Sequence, residues 1–272
     1  MQENFSLTRK QDRNLITVVT EASWFELIFM ADWHSGHPST DTAFIQRQIN
    51  YVKERPESRV LLGGDLIECG LRNSPGASVY EQIQNPQDQL NDIEARLEPI
   101  KGQILGTIRG NHEDRVRKQS GFDINHELSK HLSINDLTDQ TWFAIKSASP
   151  KCPAYTGWYT HGRKASKTLG LALNLTERDI ASWQRVDIIA RAHTHDCAIE
   201  PFQYLVVDTA NDCVQKRMAW VVLTGHALGW ENSYISEAAN RPKPLAFCSV
   251  LLRTNDRHGK KLKRNIVYAD EV

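Results

Sequence analysis

The chain has 272 residues, of which 40% are hydrophobic and 24% are charged, a composition typical of a soluble globular protein. The 33 Lys and Arg residues balance the 33 Asp and Glu residues, which argues against a protein that holds nucleic acid through a global positive field. A chain of this length can bury a core without disulfides or a structural metal, so we expect any metal to be functional.

The N-terminal residues are polar through Asn14 and show no secretory signal. The early apolar stretch 24–31 is interrupted by Glu26 and is too short to span a bilayer. The five cysteines are far apart and form no C-x-x-C pair, a pattern typical of a reducing compartment with mostly buried free thiols. The sequence therefore predicts a cytoplasmic protein without membrane contact.

Segments rich in β-branched and aromatic residues alternate with helical patterns, which indicates α/β layering. Apolar periodicity predicts helices over 40–53 and 80–97. The predicted strands in the first part of the chain are 25–30, 59–62, 104–108, 142–145, 154–160 and 186–190. From about residue 196 the chain is predicted to be mostly antiparallel sheet, with β segments at 198–208, 214–224, 247–254 and 262–269.

No internal repeat, low-complexity tract or linker divides the sequence, so we expect a single domain over residues 1–272. The expected fold class is α/β, with two packed mixed β-sheets flanked by helices. The most basic stretch, 253–264, is interpreted as a solvated C-terminal hairpin, with contact to a polyanion as the alternative.

Five predicted strands are each followed by residues of the types that ligate metals. They are Asp32-Trp33-His34, Gly64-Asp65 with Glu68, Gly110-Asn111-His112-Glu113, His161-Gly162 and His193-Thr194-His195. In open α/β sheets, ligands and catalytic groups collect at the carboxyl ends of strands. Each motif alone has an ordinary explanation, such as a turn, a helix cap or exposed histidines. Their joint occurrence in this order points instead to one site.

This series resembles the five motifs of the calcineurin-like metallophosphoesterase superfamily, over roughly residues 25–196. The segment 81–115 also resembles phosphoesterases encoded by phages and prophages. The resemblance implies the sandwich of two mixed sheets that this superfamily shares. The chain departs from the family pattern at Glu68, where Asp is more usual, and at Ala192, where Gly is more usual. A basic segment, 163–167, stands where the family has a glycine-rich loop.

Carried over residue by residue, the resemblance implies two metal sites joined by one carboxylate. The first site would use Asp32, His34 and His195, the second would use Asn111, His161 and His193, and Asp65 would bridge them. Oxygen and imidazole ligands without a thiolate suit Mn²⁺, Fe or Zn²⁺ better than Ca²⁺ or Mg²⁺, and we expect Mn²⁺ first.

The resemblance implies hydrolysis of a phosphate ester by a hydroxide that bridges the two metals. His112 is expected to protonate the leaving group with Glu68 as its carboxylate partner, the alternative being that His112 only supports Asn111. Arg115 and Lys167 are candidate phosphate contacts, and their alternative is an exposed charge on a loop. The side chain of Trp33, which lies between two ligands, is expected to pack in the core.

The substrate class stays open between a phosphodiester, such as a nucleic acid or nucleotide, and a phosphomonoester. Neutral net charge and the lack of an evident capping domain weigh against a processive nuclease. The alternative from another class is a catalytically inactive binding or scaffold protein of the same fold. Such proteins typically lack ligands, whereas every ligand is present here. We expect the loops 69–80 and 225–244 to form the pocket walls that select the substrate.

Overall fold

The computed structural model describes residues 5–10, 14–72, 74, 79–163, 166–183, 185–257 and 259–271. Its strands are β1 (Phe5–Lys10), β2 (Leu15–Thr20), β3 (Trp24–Met30), β4 (Arg59–Leu62), β5 (Ile104–Thr107), β6 (Gln140–Ser147), β7 (Tyr155–Thr160), β8 (Ile188–Arg191), β9 (Cys197–Asp208), β10 (Cys213–His226), β11 (Ala246–Arg253) and β12 (Leu262–Tyr268). Its helices are α1 (Thr42–Lys53), α2 (Pro86–Leu97), α3 (Asn111–Ser120), α4 (Ile124–Leu132), α5 (Leu169–Trp183) and α6 (Tyr234–Glu237), with a 3₁₀ segment at Glu98–Gln103.

Strand β10 belongs to two sheets. The first sheet has the order β1-β2-β6-β7-β8-β10, with β9 pairing with β10. The last two residues of β10 pair with β11, from which the second sheet continues as β3-β4-β5 on one side and β12 on the other. Parallel pairs such as β3-β4 and β8-β10 occur beside antiparallel pairs such as β9-β10 and β11-β12. The predicted mixed α/β architecture is therefore confirmed.

The alternating side chains of β3 show how the layers are built. Leu27 and Phe29 pack in the core between the two sheets, which also contains Phe143 of the first sheet. Ile28 and Met30 point the opposite way, into the core that α1, α2 and α4 form with the second sheet. This is the period of two that a strand imposes on its side chains. Both faces of β3 are therefore covered by apolar side chains, and the polar residues that follow the strand lie at the edge of this core.

Helix α5 covers the outer face of the first sheet. Ala172 of this helix packs with Trp158 and Val221 in a third apolar cluster. Predicted elements correspond to observed ones with shifted ends, and the largest shift is at the helix predicted for 80–97. That helix begins at Pro86 because Asn85 caps it by accepting hydrogen bonds from the backbone N–H groups of the first turn.

The C-terminal hairpin that was predicted around the basic stretch is present. The described residues of the basic stretch, 253–257 and 259–264, lie in the turn and flanks of the β11–β12 hairpin. The five cysteines are free, although only Cys69 and Cys248 are buried, so the expectation of mostly buried thiols is wrong for the other three. Among the described residues, no helix combines the length and the apolar character that crossing a bilayer requires.

Candidate active site

The five strands predicted to deliver ligands end at one edge of the fold. Strands β3, β4 and β5 come from the second sheet, and β7 and β8 come from the first. The predicted ligands that follow these strands are Asp32, His34, Asp65, Asn111, His161, His193 and His195. The edge is thus built by both sheets, and the described structure brings all seven side chains together.

Asp32, His34 and His195 form a first group in which each residue offers one donor atom within 4.8 Å of the others. The Nε2 atoms of His34 and His195 are 3.2 Å apart, and they lie 4.0 and 3.4 Å from Oδ1 of Asp32. That carboxylate oxygen is buried and has no hydrogen-bond partner in the described part of the chain. One buried carboxylate oxygen facing two imidazole nitrogens fits a divalent cation.

Asp65, His161 and His193 form a second group with the same spacing of donor atoms. Nε2 of His161 lies 3.1 Å from Oδ2 of Asp65 and 3.0 Å from Oδ1 of Asn111. The Nδ1–H of His161 donates to the carbonyl oxygen of Gly63 at 2.7 Å, which turns Nε2 toward these oxygens. Histidines that ligate metals usually donate their other ring N–H in this way.

Asp65 lies between the two groups. It shares the second group with His161 and His193, and it forms a further group of donor atoms with His34 and His112. Its Oδ1 also accepts a 2.8 Å hydrogen bond from the backbone N–H of His112. Asp65 is therefore shared by donor groups on both sides of the site.

Most of the clustered residues share an uncommon backbone conformation. Asp32, His34, Asp65, His193 and His195 have φ values of 53°, 49°, 50°, 68° and 55°. The left-handed region costs an L-residue roughly 1–2 kcal/mol because Cβ approaches the following carbonyl oxygen. Strained conformations of this kind concentrate at functional sites.

Glu113 joins the loop after β4 to the start of α3. Its carboxylate accepts hydrogen bonds from the backbone N–H groups of Asp65 at 3.0 Å, Leu66 at 2.9 Å and Gly110 at 2.9 Å. The two segments are so close that a Cβ on Gly64, where φ is +84°, would lie 2.2 Å from the backbone nitrogen of Gly110. The motif Gly110-Asn111-His112-Glu113 gives no sign of this role for Glu113.

The buried carboxylates set the electrostatics of the site. Burial raises the pKa of Asp65, but the charges of His161 and His112 outweigh it and hold the pKa well below 3.8. Burial lowers the pKa of His161, and the charge and hydrogen bond of Asp65 reverse this and raise it to about 9. The pKa of His193 falls to about 4 because of burial and the charge of His161. The carboxylates thus favour positive charge in the space between these side chains. A divalent cation can supply that charge.

His112 contacts Glu68 at two points, the backbone carbonyl and the carboxylate. The Nδ1–H of His112 donates to the backbone carbonyl oxygen of Glu68 at 2.5 Å. The Glu68 carboxylate lies 3.6 Å from the same Nδ1 atom and 3.0 Å from Nδ1 of His34. Burial raises the pKa of Glu68, and the nearby His112 and His34 outweigh it, so the net pKa is lowered. Glu68 therefore serves one predicted ligand and one predicted catalytic imidazole.

A cleft of about 460 Å³, called the main cleft below, opens over both groups of donor atoms. Arg115 lines it, and the Nη1 atom of this side chain is buried without a hydrogen-bond partner among the described residues. Lys167 does not line it, and its Nζ instead donates to the carbonyl oxygen of Ala238 in the cleft wall at 3.1 Å. The predicted wall 225–244 contributes Ile235, Ala238 and Lys243, among others. Part of the other predicted wall, residues 73 and 75–78, falls outside the described residues.

An ion pair that the sequence did not reveal anchors this wall. Nζ of Lys243 lies 2.8 Å from Oδ2 of Asp196 and also donates to the carbonyl oxygen of Thr194. The side chains of Lys243 and Asp196 are only 6% and 4% exposed, so the pair is held away from water. It fixes the segment after β10 to the turn that carries His193 and His195. Residues 47 positions apart give no spacing signal in a single sequence.

Two further aromatic side chains complete the surroundings. His226, at the end of β10, stacks on His195 with ring centroids 4.9 Å apart and an interplanar angle of 18°. Burial, followed by the charge of His195, places its pKa well below 6.5, so it packs as a neutral ring. Trp33 is fully buried and donates from Nε1 to Oε1 of Gln48 at 2.9 Å, as expected for a core residue.

Comparison with known proteins gives one family and several distant structural likenesses. Residues 25–197 match the family model described as calcineurin-like phosphoesterase. No curated protein sequence matches the chain.

Among solved structures, Vps29 of Chaetomium thermophilum is 12% identical, with 90% of this chain and 94% of that chain covered and a TM-score of 0.39. The nuclease MPE of Pseudomonas putida is 11% identical, with 96% and 100% covered and a TM-score of 0.31. A phosphatase of Mycoplasma pneumoniae is 10% identical, with 90% and 93% covered and a TM-score of 0.36. Likenesses at these TM-scores do not bear on activity or substrate.

Proposed function

The chain belongs to the calcineurin-like phosphoesterase family, and from this premise we propose that it is a dinuclear-metal-dependent hydrolase of phosphate esters. The observation that carries the proposal is the convergence of carboxylate, amide and imidazole donors from five strand ends into two adjoining groups. We assign Asp32, His34 and His195 to one metal and Asn111, His161 and His193 to the other, with Asp65 shared.

The donor set supports Mn²⁺ as the first candidate, with Fe or Zn²⁺ as alternatives, because it combines oxygen and imidazole without thiolate. When bound, two divalent cations lower the pKa of water and stabilise negative charge on phosphate oxygens. Other residues of the chain form hydrogen bonds that hold the proposed ligands in orientation. Glu68 orients His34, and the carbonyl oxygen of Gly63 orients His161.

We assign His112 to proton donation at the leaving oxygen. The hydrogen bond from its Nδ1 to the Glu68 carbonyl oxygen fixes the ring, and its Nε2 lies on the side of Asp65, 3.9 Å from Oδ2. The imidazolium is the form that can donate a proton, and we assign the Glu68 carboxylate, 3.6 Å from Nδ1, as its partner. His112 lines the main cleft, so a leaving group bound there is within its reach.

We assign Arg115 to phosphate binding, because its guanidinium has a buried nitrogen without a partner in the described structure and lines the main cleft. Lys167 is assigned an indirect effect on substrate affinity. Its hydrogen bond to the carbonyl oxygen of Ala238 holds the wall of the main cleft in place. Neither side chain can coordinate a cation at neutral pH.

The decisive experiment combines metal analysis with a substrate screen. Protein loaded with Mn²⁺, Fe²⁺ or Zn²⁺ is analysed by mass spectrometry for metal content and assayed on chromogenic phosphate monoesters and diesters, then on single-stranded and duplex DNA. We expect two metals per chain and hydrolysis that a chelator abolishes. Two bound metals without hydrolysis of any ester would favour an inactive binding protein, and failure to bind metal would reject the site.

A further inference from the structure

A second cleft opens beside the main cleft on the other side of Asn111. It has a volume of about 310 Å³, and its lining includes Thr160, His161 and Arg163. Asn111 is the one described residue that lines both clefts. The proposed metal ligands are divided between them, since His161 lines the second cleft and His193 and His195 line the main cleft.

The boundary between the two clefts lies at the first turn of α3. Asp114 lines the second cleft, and the next residue, Arg115, lines the main cleft. The proposed metal centre is therefore reached from two sides, with Asn111 at the junction. A phosphate held at this junction has room for one substituent on each side.

From this arrangement we infer that the substrate is a phosphodiester, with one alcohol substituent in each cleft. The inference rests on the hydrolase function proposed above. A phosphomonoester has a single substituent and would use only one of the two clefts. Small-molecule sites typically have volumes of about 300–1,000 Å³. The main cleft, at about 460 Å³, lies within this range, and the second cleft, at about 310 Å³, lies near its lower end.

The second cleft is polar but close to neutral, which indicates what kind of substituent it suits. Arg109 lies 2.6 Å from Asp123 and 3.1 Å from Asp139, and Arg163 lies 3.6 Å from Asp114. In the lining of this cleft the two arginines, Arg109 and Arg163, are matched by the two carboxylates of Asp114 and Asp139, so a second phosphate would find no excess of basic side chains there. Carboxylate oxygens instead accept hydrogen bonds from hydroxyl groups. We therefore assign a hydroxylated, uncharged substituent such as a sugar to this cleft.

The main cleft offers a different lining. Ile235 and Ala238 contribute apolar surface to the wall of this cleft, and Arg115 contributes a cation. This combination suits a larger substituent with a flat or apolar part. The two substituents of the diester are thus expected to differ in polarity.

The test compares Mn²⁺-loaded protein on p-nitrophenyl phosphate, bis(p-nitrophenyl) phosphate and a nucleoside 5′-(p-nitrophenyl phosphate). We expect kcat/KM for the nucleoside diester to exceed that for the monoester at least tenfold. Thr160→Tyr fills the second cleft and should lower kcat/KM for the nucleoside diester at least tenfold while both metals are retained. Thr17→Tyr, at a partly buried position of β2 outside both clefts, is the matched control and should change neither quantity.

The possible outcomes separate the inference from the function on which it rests. Hydrolysis of the monoester with equal or higher kcat/KM would overturn the diester inference and leave the hydrolase function standing. An unchanged diester rate in Thr160→Tyr would overturn the use of the second cleft. Two bound metals with no hydrolysis of any of the three esters would reject the proposed function and the inference together.

Discussion

The Glu113 carboxylate accepts a 3.0 Å hydrogen bond from the backbone N–H of Asp65. The residue proposed to bridge two metals is thus positioned from the first turn of α3, a separate element of the chain. The same carboxylate accepts from Leu66 and Gly110. Burial, together with the charge of Asp65, raises the pKa of Glu113. The charged carboxylate is therefore disfavoured at this position, and the three hydrogen bonds from backbone N–H groups offset part of that cost.

Replacing Glu113 by Gln tests this contact. An amide NH₂ cannot accept a hydrogen bond, so at least one of the three buried N–H groups loses its partner. We expect the free energy of unfolding of the metal-free protein to fall by about 1–3 kcal/mol in urea denaturation, and metal affinity to fall with it. Glu98→Gln, which removes an exposed ion pair with Lys101, should change stability by about 0–1 kcal/mol. Equal stabilities of Glu113→Gln and wild type would contradict the positioning role.

Asp65→Asn is expected to lower activity more than the loss of any other single ligand. Asp65 is shared by donor groups on both sides of the site, and an amide has one oxygen acceptor and no charge. His193→Asn, which affects one group only, is the comparison. Metal content and kcat/KM should be measured on the same preparations. An Asp65→Asn protein with two tightly bound metals and normal turnover would exclude the bridging role.

His112→Ala separates proton donation from support of the metal ligands. General acid catalysis typically contributes about 10²–10⁴-fold, so we expect a loss of that order in kcat on an alkyl ester. A nitrophenyl ester should lose much less, because its leaving group needs little protonation. Both metals should remain bound. Equal losses on the two esters would assign His112 to the phosphate oxygens, and loss of one metal would point to support of Asn111.

Lys167→Ala should raise KM and leave metal stoichiometry unchanged. The hydrogen bond from Lys167 to the carbonyl oxygen of Ala238 anchors a wall of the main cleft, and a single hydrogen bond contributes about 0.5–1.5 kcal/mol. A change of roughly two- to tenfold in KM is therefore expected, with kcat nearly constant. Lys260→Ala, at a residue that contacts Asp187 away from the cleft, is the control. Kinetics that stay constant on every substrate would return Lys167 to the exposed-loop interpretation.

Asp114, which lines the second cleft, provides a pH-dependent test of stability. Burial raises its pKa, but hydrogen bonds from Lys118 and Arg117 outweigh burial and place the pKa below 3.8. A carboxyl group with a lowered folded pKa stabilises the fold above its unfolded pKa, and this contribution is lost as pH falls through the folded value. Metal-free Asp114→Asn should therefore be less stable than wild type near neutral pH, and the difference should shrink below pH 3.8. A difference that is independent of pH would show that the ion pairs contribute nothing.

The sequence predicts best those strands whose residues are all buried and whose ends are marked by glycine. All four residues of β4 (Arg59–Leu62) are buried, and Gly63 and Gly64 follow at once, so both the strand and its end are visible in the sequence. The predicted ligands are found together for the same reason. Each lies within four residues of the end of a largely buried strand, and parallel neighbours bring their carboxyl ends to one edge.

Helix α3 shows why other elements are missed. Its sequence contains a single buried apolar residue, Val116, while the polar residues His112, Glu113 and Asp114 are also buried. Apolar periodicity cannot detect a helix whose inner face serves a polar site. The ion pair between Lys243 and Asp196 is missed for a different reason, because contacts between distant loop residues follow from the assembled fold and not from local pattern.

The left-handed backbone of Asp32, His34, Asp65, His193 and His195 has a consequence for the life of the protein in a cell. Glycine adopts this conformation without the steric penalty, so these side chains are kept at a conformational cost of roughly 1–2 kcal/mol each. Several such penalties are comparable with the whole stability of an ordinary domain, about 5–15 kcal/mol. An ion that binds only the folded chain offsets them by mass action. Starvation for the metal should therefore shorten the half-life of the protein, and resistance to proteolysis should report how fully it is loaded.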